Sequence, residues 1–78
     1  MVNIKELQQN ALNICLNDFK KRGVGYCILE GLEFNFIMNK DLKTLNFKVF
    51  DSITDTFKIL KVIKPTKEQI NKYKSEFL

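Results

Sequence analysis

Seventy-eight residues make one small domain, 1–78, because a chain this short buries only about 60% of the surface its unfolded form exposes and has material for a single core. With 45% apolar residues and charges of both signs dispersed along the chain, the composition excludes a disordered or low-complexity segment. The net charge is +4, no apolar stretch approaches the roughly 18 residues of a membrane span, and residues 1–10 lack the basic start and apolar run of a signal peptide, so no membrane partner and a cytoplasmic location are expected.

The first element in chain order is a helix from about 4 to 22. Asn3 can cap its start, with Glu6 three residues later in a variant of the capping box. Ile4, Leu7, Ala11, Leu12, Ile14, Cys15, Leu16 and Phe19 follow at helical spacing. Lys20, Lys21 and Arg22 complement the carbonyls of the last turn, and Gly23 can take the left-handed conformation that ends it.

From Gly23 the period changes to two. Residues 24–30 read either as a separate strand turning at Glu30 and Gly31 or as part of one long bulged strand. Leu32, Phe34, Phe36 and Met38 alternate with Glu33, Asn35, Ile37 and Asn39, and Leu45, Phe47 and Val49 with Asn46, Lys48 and Phe50, which predicts a hairpin closed by 39–44. Facing Met38 with Leu45, Phe36 with Phe47 and Phe34 with Val49 puts every large apolar pair on one side. Residues 57–64 are β-branched and, read as a helix, would scatter apolar groups all round; a strand fits, with Val49 opposite Ile59, Leu45 opposite Ile63 and Lys61 inward beside Phe47. Pro65 ends the sheet, and Thr66 with Gln69 repeats the capping-box spacing before Ile70, Tyr73 and Phe77, a second helix over 66–77. The expected fold is α+β: an N-terminal helix, an antiparallel meander of three or four strands and a C-terminal helix, packed as a two-layer sandwich with Phe34, Phe36, Phe47 and Val49 against Leu7, Ile14 and Ile70.

Chemistry-bearing residues are sparse. The chain has no His, so the usual proton carrier near neutral pH is missing, and no Ser or Cys stands in a nucleophile context. Glu30, Glu33, Asp51 and Asp55 flank turns, where turn formation is the commoner reason for a carboxylate, and Asp18 reads as a structural ion-pair partner near a helix end. Gly23-Val24-Gly25 follows a helix and lacks the strand-loop-helix order of a phosphate-cradling loop. Cys15 and Cys27 read as free buried thiols, too few and too far apart for a disulfide framework or a zinc site. A non-catalytic protein without cofactor or metal is therefore expected.

Two surface features point to binding. Residues 1–55 carry no net charge, whereas 56–78 carry the whole excess of +4, so Lys58, Lys64, Lys67, Lys72 and Lys74 are candidates for a nucleic-acid contact. If both helices cover one side of the sheet, the other side presents Ile37, Phe50, Leu60 and Val62 among Asn35, Asn46, Lys48, Lys58 and Lys64, extended by Tyr26 and Ile28. Apolar groups rimmed by polar ones describe a protein contact, homodimeric or with another macromolecule, in which Phe50 is the expected anchor.

The order helix, three strands, helix is similar to that of double-stranded RNA binding domains, which read duplex shape and phosphate. The Gly-Pro-His turn of that family and its Ser-Lys-Lys cluster at the second helix are absent here; Pro65-Thr66-Lys67-Glu68 stands in the latter place. Lys, Asn, Ile and Phe supply 35 of the residues, a bias that fits an A·T-rich coding source such as a low-GC bacterium, its phages or mobile elements. The resulting expectation is a small binding protein that occupies a macromolecular partner, as a phage- or mobile-element-encoded inhibitor does; the alternative is a nucleic-acid binder using the basic C-terminal third.

Overall fold

A computed structural model describes residues 3–78; residues 1 and 2, the start of the segment read above for a leader, lie outside that range. The elements are α1 (Ile4–Arg22), β1 (Gly25–Leu29), β2 (Leu32–Met38), β3 (Leu45–Asp51), β4 (Thr56–Ile63) and α2 (Lys67–Phe77), and the strands form one antiparallel meander in the order β1-β2-β3-β4. The meander thus has four strands, one more than the helix, three strands, helix order.

Local chemistry explains the boundaries. Asn3 Oδ1 accepts from the backbone N–H of Lys5 at 3.0 Å and of Glu6 at 3.3 Å, and α1 stops at Gly23, whose φ of 76° is left-handed. Glu30 and Gly31, with φ of 50° and 75°, form the two-residue turn whose twist matches a hairpin, so 25–29 is a strand in its own right. At α2 the capping box is complete: Gln69 N–H donates to Thr66 Oγ1 at 3.2 Å and Thr66 N–H to Gln69 Oε1 at 2.9 Å.

The core lies between the sheet and the helices. Leu7, Ala11, Leu12, Cys15 and Phe19 of α1 are buried against Cys27, Phe34, Phe36, Met38, Leu45 and Phe47, and Phe19 meets Phe36 edge-on with ring centroids 5.6 Å apart. Ile70 and Tyr73 of α2 pack on the same cluster, which places both helices on one face of the sheet. Gly25 permits the close seat of α1 on β1: a Cβ there would stand 2.4 Å from the carbonyl oxygen of Cys15. Ile14 is not a core residue as its spacing predicted; it is 43% exposed, because it lies about 90° around the helix from the centre of the buried arc.

The β2–β3 register is the predicted one, with Phe34 opposite Val49, Phe36 opposite Phe47 and Met38 opposite Leu45. The β3–β4 register holds only partway. Leu45 faces Ile63 and Phe47 faces Lys61 as expected, but a β-bulge then shifts the pairing, so that Lys48 faces Ile59 and Val49 faces Lys58 instead of Ile59.

Candidate protein-docking face

A strand alternates its side chains between two faces, and here one face is covered by both helices. The other is open. Its rungs follow from the register: Ile28 with Glu33; Tyr26, Asn35, Lys48 and Ile59; Ile37, Asn46 and Val62; and Phe50 with Phe57. Ile28, Ile59 and Val62 are 55–61% exposed, and Tyr26, Ile37 and Phe57 lie at 37–42%. Phe50 is half-buried because Phe57 meets it edge-on, with centroids 5.3 Å apart. Tyr26 and Ile28 lie on β1 and Phe57, Ile59 and Val62 on β4; between them β2 and β3 carry Ile37 and Phe50 among Glu33, Asn35, Asn46 and Lys48.

Of the residues expected on this face, Ile37, Phe50, Val62 and Lys48 are there, joined by Tyr26 and Ile28. Leu60 is not. The bulge leaves it without a cross-strand partner and turns it to the helix side, where it packs on the core beside Leu12 and Phe47. Lys58 is displaced for the same reason: it shares the helix side with Val49 and pairs with Asp51 at 2.8 Å. The one-residue shift brings Phe57 and Ile59 to the open face instead. A bulge has no reliable mark in a single sequence, which is why these two were missed.

Polar groups order the middle of the face and its β1 edge. Asn46, buried among Ile37 and Val62, donates through Nδ2 to Asn39 Oδ1 at 3.0 Å, and Asn39 in turn bonds Thr44, closing the β2–β3 loop. Asn35 Oδ1, in the middle of the face, is buried without a hydrogen-bond partner. At the β1 edge, Tyr26 N–H donates to Asp18 Oδ2 at 3.0 Å, and Arg22 pairs with the same carboxylate. Those bonds hold the Asp18 carboxyl below the usual carboxylate range, the Arg22 guanidinium contributing most.

Lys58 and Lys72 are tied to Asp51 and Glu76, each at 2.8 Å, while Lys64, Lys67 and Lys74 are exposed. Lys58 and Lys64 sit near opposite ends of β4, about 20 Å apart. A cleft between α1 and α2 is lined by Phe19, Lys20, Thr66, Glu68, Gln69 and Lys72, with the Thr66 hydroxyl engaged as the α2 cap. Among the described residues no three His, Cys, Asp or Glu side chains gather as metal ligands, and no helix is long and apolar enough to cross a membrane. No protein-family model, curated protein or solved structure matches the chain.

Proposed function

We propose that this chain is a non-catalytic binding module that works by docking its open sheet face on a protein surface. The observation that carries the reading is the run of six side chains, Tyr26, Ile28, Ile37, Phe57, Ile59 and Val62, each more than a third exposed on one face of a sheet whose other face is filled. Isolated exposed apolar residues are ordinary, but six on one sheet face, with polar groups among them, have the make-up of an interface. Occupying a partner's surface requires no chemistry beyond this, and it is the mode of action of an inhibitor. The nucleic-acid alternative has less support, since two of its lysines, Lys58 and Lys72, are tied to carboxylates.

Photo-crosslinking in the expressing cell tests the reading. A photoreactive phenylalanine analogue is placed at Ile59 or Tyr26 on the open face, and at the exposed Gln9 on α1 as a control. Protein adducts from the open face alone are expected. Adducts to nucleic acid, or equal yields from Gln9, would overturn the proposal.

A further inference from the structure

The free edges of the sheet are defended. β1 is five residues long and its Tyr26 N–H is already taken by Asp18; β4 carries a bulge together with Lys58 and Lys61. Short strands, bulges and lysines are the devices that prevent pairing through an edge, so the face is the open route to association.

Much of the pattern on that face pairs with itself across a two-fold, although Glu33 then lies over the partner's Phe50 and Ile37 over the partner's Asn46. A two-fold axis lying between two stacked sheets, parallel to the strands, sets β1 of one copy over β4 of the other and β2 over β3. Tyr26 then meets the partner's Ile59, and Ile28 meets the partner's Phe57. Asn35 lies under the partner's Lys48, a donor for its unsatisfied Oδ1. Glu33 stands one rung away from the partner's Lys48, within reach of a lysine stem, and the symmetry makes this pair twice. Neither Glu33 nor Lys48 forms an ion pair within its own chain among the described residues. With the axis across the strands and through the Lys48 rung, Lys48 lies over the partner's Lys48 instead, where like charges repel.

From this geometry we infer that the occupant of the open face is a second copy of this chain, in a face-to-face homodimer registered by reciprocal Glu33–Lys48 pairs. The inference rests on the docking reading above. Four strands about 4.8 Å apart and about 24 Å long present roughly 450 Å² in projection. Two copies therefore remove roughly 1,000 Å² or somewhat more from water, at the lower limit for a specific interface. The dimer is accordingly concentration-dependent, and its isologous symmetry closes it at two copies.

Sedimentation equilibrium of the wild type and three charge variants is the test, with circular dichroism as the check on folding. The wild type should pass from 9.2 kDa toward twice that mass as concentration rises. Glu33→Lys and Lys48→Glu should each weaken the dimer about tenfold by setting like charges together, and the double exchange should recover affinity to within about threefold. Equal dimerisation by all four proteins would overturn the register. A wild type that stays at 9.2 kDa throughout would overturn the second-copy assignment. In that case crosslinks from Ile59 to a different protein would leave the docking reading standing, and the absence of any protein crosslink there would end both.

Discussion

Cys15 Sγ lies 3.8 Å from Cys27 Sγ, so that α1 and β1 meet through two reduced thiols in the middle of their contact. Both are buried, and the Cys27 thiol also lies 3.7 Å from the carbonyl oxygen of Ala11. Burial, reinforced by the neighbouring sulfur, pushes the Cys15 thiol up to about 12, and burial raises that of Cys27 as well.

Thiolates carry alkylation, so neither cysteine should react at an appreciable rate in the native protein at pH 8. Mass spectrometry after iodoacetamide treatment should show an unmodified native chain, and two adducts once denaturant is present. Rapid native modification of Cys15 would mean that the α1–β1 contact opens readily.

Phe34, Phe36 and Phe47 fill the centre of the core, with Phe34 and Phe47 stacked at 5.6 Å. Phe36→Ala should cost about 3–5 kcal/mol, enough to unfold many domains of this size, whereas Ile14→Ala should cost less than about 1 kcal/mol because the side chain is largely in water. Urea unfolding of the two variants checks both the core and the helix face that builds it.

The bulge makes a sharper prediction. Leu60→Ala should lose about 1–2 kcal/mol through its contacts beside Leu12 and Phe47, while Val62→Ala two residues later should change stability by less than about 0.5 kcal/mol. Equal effects in thermal unfolding would mean that β4 pairs in the unbulged register.

The acid limb of stability is expected to rest on two carboxylates. Asp18 is held below 3.8 chiefly by Arg22, and Asp51 below 3.8 chiefly by Lys58. A depressed carboxyl contributes fully when pH is above its unfolded value and loses that contribution as pH falls through the folded one. Urea midpoints should therefore be flat near neutrality and decline below about pH 4, with a shallower decline in Asp18→Asn and Asp51→Asn.

The order of elements and the hairpin register were legible because each rests on a local signal of known period: Asn3 and Gly23 bracket α1, Thr66 and Gln69 open α2, and the alternating Phe34, Phe36 and Phe47 admit one pairing. Glu30-Gly31 carried the signal for a separate first strand, but a bulged long strand shares the same composition, and only the turn dihedrals separate the two. Leu60, Lys58 and Ile59 were misplaced because one unpaired residue reverses the faces of every position beyond it, and the bulged stretch contains no glycine to mark it. Asp18 was read as an ion-pair partner, which it is. Its bond to Tyr26 N–H joins residues eight apart across a turn and appears only in three dimensions.

Ile59 is 55% exposed at the centre of the β4 side of the open face, opposite Lys48 and away from the core. Circular dichroism and sedimentation of Ile59→Asp, read together, test whether that face is where the protein docks. The account predicts a native spectrum and a chain that remains at 9.2 kDa at concentrations where the wild type is dimeric, with the same outcome for the anchor variant Phe50→Asp. A folded Ile59→Asp that dimerises as strongly as the wild type would contradict it.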